Sequence, residues 1–186
     1  DFLDLETASY EEFLDFVEKN PTFMAKPFDG QCGKGIEKIT VDNDTVKTQL
    51  YKKLKENKQL LLEDYVIQHS EMSRLFPKSV NTIRMVTVRV NEKTTIVCRV
   101  IRIGNGDNVV DNYNHGGMIS VVDDNGVITK PAIDKAGNVY ETHPVTGTEI
   151  MGFQIPMFEE AKALVMKMSE VFPQVGYTAW DICITE

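Results

Sequence analysis

Near the start of the chain, two lysines and three glycines share the run FMAKPFDGQCGKG at 23–35. An apolar, strand-like stretch ends in Lys26-Pro27; Gly30, Gly33, Lys34 and Gly35 follow, and Ile36 opens a second strand. Glycines let backbone N–H groups converge on an anion, and lysines add point charges that a polyphosphate can share. The chemistry this pattern offers is phosphate binding under a hairpin that covers a nucleotide. It is not the strand–GxxxxGK[ST]–helix loop, because Gly35 stands where Ser or Thr would follow Lys34 and a strand follows in turn. A plain glycine-rich turn between two strands fits the same residues. Cys32, inside the loop, is either a small loop residue or a reactive thiol.

Asp181 is the second signal. It interrupts AWDICI, an apolar run expected to be buried on both faces, where an unpartnered carboxylate is costly. It therefore pairs with an arginine or ligates Mg2+, which takes one or two carboxylates plus substrate phosphates. Arginines recur inside strand-like runs: Arg84 in NTIRMVTV, Arg99 and Arg102 in CRVIRIGN. Period-two alternation sets Thr82 and Arg84 on one face and Ile83 and Met85 on the other, with Arg102 beside Val100 and Gly104. Arginine suits bidentate recognition of phosphate or carboxylate; Arg99 reads as an edge-strand arginine facing solvent. The stretch DNYNHGG at 111–117 combines Asp111, Asn112, Asn114, His115, Gly116 and Gly117. Its asparagines can meet a metal or an anion or can make Asx-turns, and His115 is a general base or a solvated loop histidine. After the apolar run at 60–63, Glu63 and Val66 can present backbone groups to an adenine edge.

These residues need elements to hold them. Ser9 with Glu12 makes a capping box for a short helix carrying Phe13, Leu14 and Val17, closed before Pro21. Strands at 22–26 and 36–41 flank the glycine loop as a hairpin. Asp44 is placed to cap a helix over 45–56, whose apolar face is Val46, Leu50, Tyr51 and Leu54. Strands at 82–90 and 94–103 turn through Asn91-Glu92-Lys93, another runs over 118–122, and 104–115 and most of 129–156 read as loop. A helix over 158–172 shows Ala161, Leu164, Val165, Met168 and Phe172 on one face, and a last strand covers 177–185.

Composition sets bounds. The 186 residues, 42% of them hydrophobic, suffice for one domain or one domain of two lobes. A formal charge of −8 with no dense basic stretch argues against nucleic acid; the five lysines within 47–58 read as the solvated face of a helix. Three cysteines without CxxC spacing favour a reducing, cytoplasmic setting. No apolar run approaches the length of a membrane span.

Taken in order, FMAKPFDGQCGKGIEKI, LLEDYVIQHSEM, SVNTIRMVTV, RIGNGDNVVDNYNHGGMI and YTAWDICI resemble the ATP-grasp superfamily, and within it the sugar-transfer-associated family related to the α-L-glutamate ligases. The resemblance covers nearly the whole chain. It implies an α+β fold of two lobes with antiparallel sheets that hold ATP between them. The organisation that goes with it is a helical lead-in over 1–22, a small lobe with the lid over 23–66 and a large lobe over 67–186. It implies that Lys26 meets the α- and β-phosphates and that Gly30, Gly33, Lys34 and Gly35 close over the triphosphate. Glu63 and Val66 would face adenine, and Gln68 the ribose. Arg84 and Arg102 would act on the γ-phosphate or an acyl phosphate, Asn112, His115, Gly116 and Gly117 would shape the acceptor pocket, and Asp181 would bind Mg2+. The implied activity is ligation of a small-molecule carboxylate to an amine or other nucleophile, in surface polysaccharide biosynthesis. Because such ligases carry a Glu-x-Asn pattern after the Asp strand and a domain before the lid, the resemblance also implies further chain on both sides. Two alternatives remain at this stage: a non-catalytic nucleotide-binding or scaffold module of a sugar-transferase system, and phosphotransfer to a small molecule without ligation.

Overall fold

Ser9 and Glu12 close the capping box that starts the first helix: the Ser9 hydroxyl accepts from the Glu12 N–H, and the Glu12 carboxylate accepts from the Ser9 N–H. The computed structural model of the chain describes residues 1–29 and 34–186. It falls into two units, Asp1–Val66 and Ile67–Glu186.

The first unit contains β1 (Phe2–Asp4), α1 (Tyr10–Lys19), β2 (Thr22–Lys26), β3 (Glu37–Thr40), α2 (Lys47–Glu56) and β4 (Leu61–Asp64). Its strands form an antiparallel sheet in the order β1-β4-β2-β3. β2 alternates, with Phe23 and Ala25 buried and its other residues half-buried, as a one-sided strand must. Phe23, Ala25, Ile39 and Leu62 of the sheet meet Phe13, Phe16 and Val17 of α1 and Leu54 of α2 in one core. Phe16 meets Phe23 edge-on at 5.7 Å, a favoured geometry for aromatic quadrupoles. Two local expectations are corrected. Asp44 does not cap α2, which starts at Lys47 after Val46 with no side-chain cap; Asp42 and Thr45 instead bond to each other across the preceding turn. Val46 is exposed, leaving Leu50, Tyr51 and Leu54 as the packed face. β1 went unforeseen because three residues carry no readable period.

The second unit contains α3 (Ser70–Leu75), β5 (Ile83–Val90), β6 (Lys93–Ile103), a 3-10 turn (Tyr113–His115), β7 (Met118–Val121), β8 (Ala132–Ile133), β9 (Val139–Tyr140), α4 (Phe158–Val171) and β10 (Tyr177–Ile182). The six strands are antiparallel in the order β10-β5-β6-β7-β8-β9. Asn91 and Glu92 both take positive φ, 49° and 64°, the conformation of a tight two-residue hairpin. Helix α4 covers one face of the sheet: Ala161 and Val165 pack with Ile83, Met85, Ile101, Ile103 and Ile182. Its buried stripe also includes Phe158 and Ser169, while Leu164 and Phe172 point outward, so the expected stripe is corrected by a fraction of a turn. β10 is corrected too. It lies at the sheet edge with alternating exposure, not buried on both faces. Trp180 leans onto α4, its indole N–H donating to Ser169 Oγ at 3.0 Å and Thr87 Oγ1 at 3.3 Å, which turns its neighbour Asp181 to the opposite face.

Replacing Ser9 with alanine leaves the Glu12 N–H without its cap. The first unit should lose about 1 kcal/mol, read as a lower urea midpoint, and Ser9→Asp should keep the wild-type midpoint.

Candidate functional site

Strand register brings Asp181 directly opposite Arg84 on β10 and β5. Alternation puts both side chains, and that of Arg102 on β6, on the sheet face away from α4. Arg84 grips Asp181 bidentately, Nε to Oδ1 and a terminal nitrogen to Oδ2, both at 2.8 Å. Arg102 reaches the same Oδ2 from the other side at 3.1 Å. Both solutions to a carboxylate in this run were open in the sequence; in this structure Asp181 pairs with arginine. Burial alone would push the Asp181 carboxyl up, but the hydrogen bonds and charges of Arg84 and Arg102 together hold it below the ordinary aspartate range.

Asp111 completes the cluster from the loop after β6. Its Oδ2 accepts from the Thr82 N–H at 2.9 Å and from the Thr82 hydroxyl, and lies 3.7 Å from Arg102 Nε. Burial pushes its carboxyl above the ordinary range, against the pull of Thr82 and Arg102. Two guanidinium and two carboxylate groups thus share one sheet face. Asp111 is the most buried member, its side chain 8% exposed, and Arg102 follows at 14%, while Arg84 at 43% and Asp181 at 39% reach solvent. The sequence offers Asp111 and Thr82 without a role for either. The available signal was that Thr82 shares the face of Arg84 and that Asp111 heads the DNYNHGG loop.

That loop is held by its own chemistry. Asn112 Oδ1 accepts from the Asn114 N–H at 2.9 Å, an Asx-turn, and Gly116 takes φ 87°. Gly117 is required by space: a Cβ there would stand 2.3 Å from the Asp111 carbonyl oxygen. His115 is exposed and its carbonyl accepts from the Asn108 amide at 2.7 Å. Gln68 is buried with its amide engaged. Its N–H groups donate to the Phe76 and Ser79 carbonyls at 2.8 Å, and its oxygen accepts from Asn81. That side chain fixes the connection into β5, and the Gln68 backbone forms a β-bridge with Thr185. Arg99 corrects the expectation of a solvent-facing edge arginine: β6 is an interior strand, the side chain is largely buried and pairs with Asp124, and its Nε has no partner.

In the first unit, Lys26 at the end of β2 forms an ion pair with Glu63 of β4. Lys34 is exposed. Gly35 takes φ 77°, and its carbonyl accepts from the buried Gln59 amide at 3.0 Å, which pins the entry to β3. Gly30, Gly33 and Cys32 lie outside the described residues. Val66 is exposed.

Among the described residues no group of three or more His, Cys, Asp or Glu side chains is set to hold a metal ion, and no helix is long and apolar enough to cross a membrane. Asp181 is a single half-exposed carboxylate whose two oxygens are both taken by arginines, so a cation could be held there only by displacing one of them. A cavity of about 560 Å³ in the second unit is lined by Glu71, Arg74, Thr148 and Gln154 and does not include the arginine–aspartate cluster.

Residues 6–186 match the family described as sugar-transfer associated ATP-grasp. No curated protein matches the chain.

The depressed Asp181 carboxyl stabilises the folded state above its unfolded pKa, and that contribution fades as pH falls through the folded value. The stability gap between the wild type and Asp181→Asn, measured by denaturant titration, should therefore be present at neutral pH and close on acidification below the ordinary aspartate range. Gly117→Ala should destabilise the second unit by about 1–3 kcal/mol through overpacking, seen as a lower thermal midpoint.

Proposed function

Because the chain belongs to the sugar-transfer associated ATP-grasp family, we propose that it is an ATP- and Mg2+-dependent ligase of surface polysaccharide chemistry. A substrate carboxylate oxygen attacks the γ-phosphorus of ATP, the bond to the β–γ bridging oxygen breaks, and ADP leaves. The acyl phosphate is then attacked at carbon by an amine or another nucleophile, which loses a proton as phosphate departs. Phosphoryl transfer asks the protein for positioning and charge neutralisation.

The observation that carries this reading is the pair of guanidinium groups on one sheet face, Arg84 and Arg102, gathered around one carboxylate. Planar donors held together in this way suit the oxygens of a transferring phosphoryl group. Lys26 supplies charge to the α- and β-phosphates, and the lid residues Gly30, Gly33, Lys34 and Gly35 exclude water that would hydrolyse the acyl phosphate. Glu63 and Val66 offer backbone groups to adenine, and Gln68 lies near the ribose. Asn112, His115, Gly116 and Gly117 border the acceptor. Asp181 would hold Mg2+, whose charge offsets that of the phosphates.

Calorimetry with Mg-ATP and with its non-hydrolysable analogue tests the reading. Wild-type protein should bind both. Lys26→Ala and Asp181→Asn should weaken binding about tenfold or more, the scale of one lost charge-assisted hydrogen bond, without unfolding the protein. No binding to the wild type, or wild-type affinity in both variants, refutes it.

A further inference from the structure

Arg102 is the guanidinium with least access to water in the cluster, yet only one of its contacts is to Asp181. Its Nε donates to the Thr82 hydroxyl oxygen at 2.9 Å. A guanidinium has donors and no acceptor. The Thr82 oxygen is therefore committed as acceptor toward Arg102, and its single proton must go elsewhere. The only acceptor it meets in the cluster is Asp111 Oδ2, which also takes the Thr82 backbone N–H. With Asp111 ionised, the protons run in one direction: Arg102 to Thr82, Thr82 to Asp111. A second tie runs through the backbone, where the Arg102 N–H donates to the Thr82 carbonyl at 2.8 Å.

This order has a physical consequence. Arg84 stands 43% exposed, and its hydrogen bonds among the described residues go to Asp181, with Asp111 a more distant charge. Arg102 is held at both ends, by Asp181 at a terminal nitrogen and by Thr82 at Nε. If Asp181 turns to a cation, Arg84 loses its partner, whereas Arg102 keeps an anchor that does not involve Asp181. Asp111 itself is locked in place: the loop that carries it turns through Gly117, where no side chain fits.

We propose that Thr82 and Asp111 are positioning residues that fix the Arg102 guanidinium as a preset oxyanion donor for a phosphoryl group. The role rests on the ligase reading for its ligand, but the relay is a property of the unliganded protein. Burying a hydroxyl and a carboxylate at this point is costly unless their hydrogen bonds are complete, and the relay completes them.

The test separates the relay from the ligand. In the unliganded protein, the Arg102 Nε–H should give a resolved, slowly exchanging signal in nitrogen–proton NMR spectra. Thr82→Val keeps the shape of the side chain and removes the hydroxyl; exchange of that proton should accelerate about tenfold or more, the scale of one lost hydrogen bond to a charged group. Thr82→Ser should restore slow exchange, and Asp111→Asn, which keeps the size but not the charge, should give an intermediate rate. Affinity for Mg-ATP should fall in Thr82→Val and recover in Thr82→Ser. Unchanged exchange in Thr82→Val, or Thr82→Ser behaving as Thr82→Val, overturns the relay; wild-type exchange in Asp111→Asn removes Asp111 from it. If wild-type protein binds no Mg-ATP, the ligase reading fails while the exchange measurement still decides the relay.

Discussion

One carboxylate shared by two guanidinium groups is the constraint on which the second unit depends. Asp181 satisfies Arg84 in a bidentate grip and Arg102 through a single oxygen. Without it, two cations would face each other across neighbouring strands with Asp111 the remaining carboxylate beside them, an arrangement that costs more where water is scarce. With it, the cluster of two arginines and two aspartates is formally neutral and still presents donors at its surface.

The surroundings of the cluster explain why it can be this ordered. Trp180 anchors β10 to α4 one residue before Asp181, so the edge strand cannot drift in register without losing a hydrogen bond to Ser169. A one-residue slip would also send Asp181 to the α4 face. On the other side, Gln68 and Asn81 bond to each other and to the carbonyls of Met72 and Phe76. They fix the chain immediately before Thr82. The cluster therefore stands on regular strands, with one loop, 104–117, bringing Asp111.

The sequence carried much of this. The capping box, the β2–β3 hairpin and the β5–β6 hairpin were legible because each rests on local chemistry, although the turn read as Asn91-Glu92-Lys93 is the two residues Asn91-Glu92, with Lys93 already in β6. So were the faces within each strand, Thr82 with Arg84 and Arg102 with Val100, which follow from a period of two; that the two faces coincide is set by the β5–β6 register, which pairs Arg84 with Val100. What depended on distant packing was not. An apolar strand such as β10 reads as central until its neighbours are known, and the outward turn of Leu164 and Phe172 is decided by how far α4 rotates over the sheet. Arg99 looked like a surface residue because nothing local announces Asp124. The role of Asp111 was hidden for the same reason: its partner Thr82 is 29 residues away.

The most direct measurement is a crystal structure of the protein with Mg2+ and a non-hydrolysable ATP analogue. The account predicts terminal phosphate oxygens within hydrogen-bond distance of both the Arg84 and Arg102 guanidinium groups, with Arg102 still bonded to Thr82. A nucleotide bound elsewhere, with both arginines still closed around Asp181, would contradict it.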